Sequence, residues 1–369
     1  MSKIAYVVIV LGLILGSVWY VPFRLSRLLG LARAWPRYVA IAVIFVLYSM
    51  SFGLFRTLTS AVLDATANTA DVLLGFHIYL TLLLLMLDAL RLVIRLPDRL
   101  TAWTAVSVAV VLTTVGVWRA GTLDVNEVEI PIEGLERDVT LMHISDVHLG
   151  HQRGRAYLER IVHETNRLEP DLVLINGDLV DANSALEPGV LSALARFDAP
   201  TYFTTGNHEL SVDTERALEI ITSHGVRILH NEVVEIHGLQ LVGLDYMNAD
   251  ENTFDMQMRN VNKLTIKEEL PKIPLVDGKP VVLMHHSPVG LEYVSARGVA
   301  LMLSGHTHAG QFFPATLITP LLFPINKGLH VRGGTYFFVS QGAGTLGPRM
   351  RLGSSNEIDL IRLKARQRR

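Results

Sequence analysis

Along this chain the apolar positions fall into two kinds of pattern. Up to about residue 120 they form four long runs, Ile4–Phe23, Tyr38–Phe55, Val72–Leu90 and Ala102–Trp118. Stretches such as YVVIVLGLILGSVWY and LTLLLLML have no polar face at the 3.6-residue period. Each run is close to the roughly 20 residues an α-helix needs to cross hydrocarbon, so the pattern predicts four membrane helices. Trp19, Tyr20, Pro22 and Phe23 read as an interfacial belt, and no A-x-A cleavage site follows, so the first run is expected to be an uncleaved helix. Beyond residue 120 the runs shorten. LDVNEVEIPI alternates as a β-strand, and LMHIS, LVLIN, TYFTT, LQLVGL, VVLMH, VALMLS and TYFFVS are strand-length. Helices are expected within Gly154–Leu168, Ala185–Phe197 and Thr214–Ser223, and the polar stretch Asn248–Leu270 as a surface insert. The predicted architecture is an α-helical transmembrane region over residues 1–120 followed by an α/β (α+β) domain over 121–369, with two β-sheets packed face to face and helices outside.

Charge divides at the same place. The chain has 369 residues and a net charge of −2, with half its residues hydrophobic and 18% charged, leaner in charge than the usual globular quarter or so. Residues 1–121 carry ten Lys+Arg against four Asp+Glu, and the remainder 23 against 31. Arg24, Arg27, Arg33 and Arg37 lie in the first connection and Arg91, Arg95 and Arg99 in the third, whereas the second has Arg56 against Asp64 and Asp71. The positive-inside rule then places the C-terminal domain outside the cytoplasm of a multi-pass cell-membrane protein. His77 and Asp88 are read as structural, Asp88 beside Arg91, because no run of intramembrane charge builds a transport relay. Zero cysteines exclude disulfides, zinc–thiolate sites, iron–sulfur clusters and thiol nucleophiles.

Chemistry concentrates where strands end. Asp146 and His148 follow LMHIS, Asp178 and Asp181 follow LVLIN, and Asn207, His208 and Glu209 follow TYFTT. His285 and His286 follow VVLM, and His306 and His308 follow LMLS. Groups at the carboxyl ends of strands converge in an α/β fold even when far apart in sequence. Imidazoles, carboxylates and an amide without thiolate suit Mn²⁺, Fe²⁺/³⁺ or Zn²⁺. About seven ligands are too many for one tetrahedral ion but fit two divalent ions ~3.5–4 Å apart, a pair that activates water as hydroxide and clamps phosphoryl oxygens.

The ordered set DVH, GDLVD, GNHE, a histidine after a strand, and GHTH resembles the calcineurin-like metallophosphoesterases over roughly Thr140–Leu363. The tail GGTYFFVSQGAGTLGPRMRLG with Asn356-Glu357-Ile358 is similar to a bacterial subgroup often exported or membrane-attached. The resemblance implies a four-layer metallophosphoesterase domain. It implies that Asp146, His148 and His308 hold one metal, that Asp178 bridges, and that Asn207, His286 and His306 hold the second. It gives His208, oriented by Asp181, the role of stabilising or protonating the leaving oxygen. The family's H-x-P spacing matches His286-Ser287-Pro288, with His285 as the alternative ligand.

Other polar residues get plainer readings. His143 is expected to be packed or hydrogen-bonded, His151, His163, His224, His230 and His237 to be surface groups, and His330, Arg332 and Arg349 are open between substrate binding and solvation. The apolar run Leu317–Ile325 after GHTH either dips into the bilayer or holds an acyl chain, or it packs on the domain core or the membrane helices. The expected function is a membrane-anchored phosphoester hydrolase acting by metal-activated hydroxide on a phosphomonoester, phosphodiester or pyrophosphate, with a lipid or envelope substrate as one option. The alternatives are a non-catalytic metal-dependent sensor or scaffold, or a transporter with an enzymatic appendage. Neither a nucleic acid nor an obligate protein partner is expected.

Overall fold

The computed structural model describes residues 3–49, 61–253 and 263–366. Four helices come first: α1 (Lys3–Leu29), α2 (Trp35–Ser49), α3 (Ala61–Leu90) and α4 (Asp98–Ala120). Among the described residues, Asp64–Leu90 and Asp98–Ala120 are long and apolar enough to cross a membrane, and Trp35–Ser49 is a shorter apolar helix. The end of the second expected span, residues 50–55, and Arg56 lie outside the described residues, as does part of the expected insert at 254–262.

Two expectations for this region are corrected. Asp64 and Asp71 do not sit in a connection, because α3 starts at Ala61 and carries both. Asp88 is not paired with Arg91. Arg91, just past the end of α3, pairs with Asp98, while Arg24 reaches across from α1 to the Asp88 carboxylate. The Tyr20 hydroxyl donates to the same carboxylate at 2.7 Å. His77 is buried, its Nε2 3.1 Å from Ser17 Oγ and its ring edge-on to Tyr48.

The rest of the chain continues as β1 (Asp124–Glu133), β2 (Val139–Ile144), α5 (Arg155–Arg167), β3 (Leu172–Asn176), β4 (Thr201–Thr204), α6 (Thr214–Ser223), β5 (Arg227–Ile228), β6 (Glu232–Ile236) and β7 (Leu239–Gly243). It ends with α7 (Ile266–Glu269), β8 (Val281–Met284), α8 (Leu291–Ala296), β9 (Leu301–Ser304), α9 (Ala315–Leu322), β10 (Gly328–Arg332), β11 (Thr335–Val339) and β12 (Glu357–Arg366). Two six-stranded sheets form, in the orders β1-β12-β2-β3-β4-β5 and β10-β11-β9-β8-β7-β6. Strand alternation builds the layers. Leu141, Leu172, Leu174 and Ile361 of the first sheet meet Leu241, Val282, Met284 and Leu303 of the second. Met142, Val173, Ile175 and Phe203 face outward under α5 and α6, and Val242, Leu283, Met302 and Phe337 face outward under α7 and α8. Helix, sheet, sheet and helix make the expected four-layer α/β domain.

Local chemistry explains the helices that form and the one that does not. Helix α5 buries Leu158, Ile161, Val162 and Thr165, an i, i+3, i+4, i+7 stripe. Helix α6 starts where the Asp213 side chain accepts from Arg216 N at 3.2 Å, an N-cap. The helix expected within Ala185–Phe197 is instead two 3₁₀ turns, Asn183–Leu186 and Leu191–Arg196, because Pro188-Gly189 interrupts it and Gly189 takes φ +85°.

The helices and the sheets share packing. Met350 lies in a niche formed by Gly75 and Gly116, so close that a Cβ on Gly116 would meet Met350 Cβ at 2.9 Å. Phe312 and Leu352 pack on the same cluster with Tyr79 and Leu84. His151 is corrected here: it is half-buried against α3, with Nε2 2.7 Å from Asp71 Oδ2, and Gln152 Nε2 donates to the same oxygen at 2.6 Å. Of the other five histidines given plain readings, His143 is buried within 3.5 Å of Asp359 Oδ2, and His230 is exposed and lies 3.1 Å from Asp245.

Candidate metal centre

Strands β2, β3 and β4 of one sheet and β8 and β9 of the other all end at one edge of the sandwich, and the residues just past those ends turn sharply. Asp146, His148, Asp178, His306 and His308 all have φ between 48° and 69°. That left-handed backbone is uncommon for residues with a side chain and costs roughly 1–3 kcal/mol each, so surrounding structure must hold it. Part of the hold is close loop packing. A Cβ on Gly206 would meet Asp178 Oδ1 at 2.2 Å, and one on Gly305 would meet Asp146 Oδ2 at 2.2 Å. These motif glycines are required by proximity.

Three groups of potential ligand atoms result: Asp146, His148 and His308; His148, Asp178 and His208; and Asp178, His286 and His306, the atoms within each group lying within 4.8 Å of one another. His148 Nε2 and His308 Nε2 are 3.0 Å apart, and His308 Nε2 is 3.3 Å from Asp146 Oδ1. His286 Nε2 is 3.1 Å from Asp178 Oδ2 and 3.8 Å from Asp146 Oδ1. Asp178 belongs to two groups. Its Oδ1 accepts from His208 N at 2.8 Å, which leaves Oδ2 aimed between the histidines. All of these residues are buried except His306, which is half-buried.

Of the two adjacent histidines, the structure brings His286 into the cluster and turns His285 away. His285 Nδ1 donates to the Ser287 carbonyl at 2.8 Å, its Nε2 faces Met247 N, and burial pushes the ring down to about 4. Burial also opposes a proton on His286, but the Asp178 and Asp146 carboxylates outweigh it and lift that ring to about 10. Burial would raise the Asp146 carboxyl, yet His308 and His286 hold it well below the usual range.

The donor set fits a cation. Ligand atoms converge on a small buried volume, and Asn207 Oδ1 is buried with no hydrogen-bond partner. An unsatisfied buried carbonyl is costly, and a cation is the partner that the surrounding acceptors also require. Imidazole, carboxylate and amide oxygen suit borderline divalent metals. Beside the cluster, His208 Nδ1 makes a short contact with Asp181 Oδ1, which fixes the ring and leaves Nε2 facing the site, 3.9 Å from Asp178 Oδ2.

The model of the calcineurin-like phosphoesterase family matches residues 139–310. An uncharacterized metallophosphoesterase of Aquifex aeolicus is 31% identical over 235 residues, 62% of this chain and 86% of that protein. The chain belongs to the calcineurin-like phosphoesterase family. A transmembrane protein with metallophosphoesterase domain from Danio rerio is 34% identical, over 64% of this chain and 56% of that protein. An uncharacterized metallophosphoesterase of Campylobacter jejuni is 29% identical, over 67% of this chain and 64% of that one. The chain thus spans less than two thirds of the length of these last two relatives.

Within this phosphoesterase site, two buried residues escaped a role in the sequence reading. Glu209, quoted only as part of GNHE, does not join the metal cluster. Its carboxylate accepts from Gly206 N, Asp178 N, Leu179 N and Val180 N at 2.7–3.1 Å, stapling the second motif to the third. Four amides from two loops are a tertiary arrangement that spacing does not reveal. Arg351 is fully buried behind His308. The three residues left open lie elsewhere: Arg349 donates to Asn68 on α3, Arg332 to the Pro324 carbonyl, and His330 Nε2 is 3.0 Å from the Lys327 carbonyl.

Proposed function

We propose that this chain is a membrane-anchored, dinuclear-metal phosphoester hydrolase, residues 1–120 the anchor and 121–369 the catalytic domain. The observation that carries the reading is that ligand groups from five strand ends meet around one shared carboxylate, Asp178, with the His208–Asp181 pair at their edge. Asp146, His148 and His308 would hold one divalent ion, Asn207, His286 and His306 the second, and Asp178 both. Such a pair supplies a nucleophile from water near neutral pH and stabilises the phosphoryl oxygens. The chain's own part is then positional and protonic. Asp181 accepts from His208 Nδ1 and orients the ring, so that a proton held at Nε2 can pass to the leaving oxygen. A binding-only scaffold has no use for that pair.

Two finer readings join this one. The catalytic domain lies outside the cytoplasm: it packs at the Asp71 and Ala120 ends of α3 and α4, while Arg24, Arg91 and Arg95 lie at the opposite ends of the bundle. The substrate is a lipid-linked phosphoester. Supporting this, α9 presents Leu317, Ile318 and Leu321 at 49–83% exposure, Phe313 before it is half exposed, and Phe323 just after it lies edge-on to His306 at 5.5 Å.

The purified full chain with Mn²⁺ is expected to hydrolyse an aryl phosphate, and intact cells to hydrolyse a membrane-impermeant one. Asp178→Asn should lower kcat by at least about a hundredfold and remove bound metal, the scale of losing a major electrostatic contributor. No turnover and no bound metal in the wild type would overturn the enzyme reading. Turnover seen only after lysis would overturn the orientation.

A further inference from the structure

Among the described residues Arg351 is the largest fully buried side chain. Among the described residues no carboxylate hydrogen-bonds to it. Its guanidinium is satisfied by loops: Nη1 donates to the His308 carbonyl at 2.8 Å and to Ser354 Oγ, Nη2 donates to the carbonyls of Gln341, Gly342 and Gly344, and Nε donates to Asn356 Oδ1. Nη2 also lies 3.3 Å from His308 Nδ1. The carbonyl-bearing segment it gathers is the one that presses on Asp146. Gly344 N donates to the Asp146 carbonyl at 2.6 Å, and a Cβ on Gly342 would meet Asp146 Cβ at 2.8 Å. One guanidinium therefore braces both His308 and Asp146, two members of the same ligand group.

The same residue is fastened to the helices. Arg351 N donates to the Gly116 carbonyl in α4 at 2.9 Å, and Met350 next to it fills the niche between Gly75 of α3 and Gly116. Asn356, which receives Arg351 Nε, donates through Nδ2 to the Ala120 carbonyl at the end of α4 at 2.8 Å. Backbone, packing and side chain thus tie the brace to two helices that are long and apolar enough to span a membrane. Small residues let a neighbouring segment approach a membrane helix this closely.

We infer that Arg351 is a positioning residue for the metal site formed by Asp146, His148 and His308, and that α3 and α4 hold it in place, making the membrane helices a structural part of that site. The inference rests on the two-metal reading above. Its sign is diagnostic. A guanidinium near a cation repels it, so charge alone predicts that removing Arg351 tightens metal binding. Loss of a brace predicts weakening, by about 10–100-fold, as for other residues that orient metal ligands. Loss of overall fold would weaken both ions together.

The test is Mn²⁺ titration of the full chain in detergent or nanodiscs, read by stoichiometry and electron paramagnetic resonance, for wild type, Arg351→Gln, Arg351→Lys and Gly116→Val. We expect the wild type to hold two ions and Arg351→Gln to weaken one of them selectively. Arg351→Lys should stay weak, because an ammonium cannot replace a fork that bonds several carbonyls at once. Gly116→Val keeps Arg351 but crowds Met350 out of its niche, and should weaken the same ion. Unchanged or tighter binding in Arg351→Gln overturns the inference, and so does equal weakening of both ions in both variants. Weakening by Arg351→Gln with none by Gly116→Val overturns the helix half. A wild type that binds no Mn²⁺ overturns the two-metal reading itself.

Discussion

Glu209 illustrates how a residue inside a motif can serve structure while its neighbours serve chemistry. A buried carboxylate is expensive unless it is hydrogen-bonded, and this one is matched by four backbone N–H donors that would otherwise be buried and unpaired. Burial and the nearby Asp178 charge raise its carboxyl above the ordinary value, while those amides work the other way. Glu209→Ala should strand several amides at about 1–3 kcal/mol each, lowering thermal stability by at least about 3 kcal/mol. Glu209→Gln should fall between the two, since its amide oxygen can keep some of the four bonds. Thermal unfolding of the two variants checks this, and a wild-type midpoint for Glu209→Ala would refute it. The contrast with the histidines shows what sequence reveals at this scale. Adjacent residues after a strand cannot both face one edge, so the chain shows that only one of His285 and His286 can enter the cluster; the His286-Ser287-Pro288 spacing points to His286, which the structure brings in while His285 turns away. Glu209 and Arg351 act through loops brought together only by the fold, and nothing in their own neighbourhood announces it.

At the scale of elements, the strands that lead into the site were legible because each is a short apolar run ending in a polar turn, as in LVLIN followed by Gly177-Asp178. Strands β10 and β12 were not. β10 reads GLHVR and lies exposed at the sheet edge, and β12 reads EIDLIRLKAR, where charges interrupt the apolar signal although Asp359 is buried beside His143. Helix α9 raises the opposite question, since its apolar side chains lie outside the core and nothing among the described residues covers them. The proposed lipid substrate gives that face a use, and Leu317→Glu with Leu321→Glu tests it. Hydrolysis of a small soluble aryl phosphate should stay within about twofold of wild type. Hydrolysis of a phospholipid-derived phosphoester presented in vesicles should fall at least about tenfold, the cost of exposing charge to hydrocarbon at two positions. Equal effects on both substrates would remove α9 from substrate recognition.

At the scale of the whole molecule, the question is what keeps the helices and the sheets in register, and a titratable contact takes part. His151 lies with Nε2 2.7 Å from Asp71 Oδ2 on α3, and Gln152 donates to the same oxygen. Burial opposes a proton on His151, but the hydrogen bond and charge of Asp71, with help from Asp181 and Asp64, raise its pKa above the ordinary 6.5. A group whose folded value is raised gives stability that is fully present below the unfolded pKa and is lost as pH rises through the folded one. The junction should therefore be tightest near pH 6 and loosen on the alkaline side. Limited proteolysis or thermal unfolding of the full chain in detergent, followed from pH 6 to pH 9, should show the wild type losing more stability than His151→Gln, which keeps a polar contact but cannot titrate. Asp71→Asn should flatten the same difference, because it removes the charge that holds the proton. Parallel pH curves for wild type and His151→Gln would mean that the packing around Met350, Phe312 and Leu352 and the non-titrating hydrogen bonds to Gly116 and Ala120 hold the junction without help from His151.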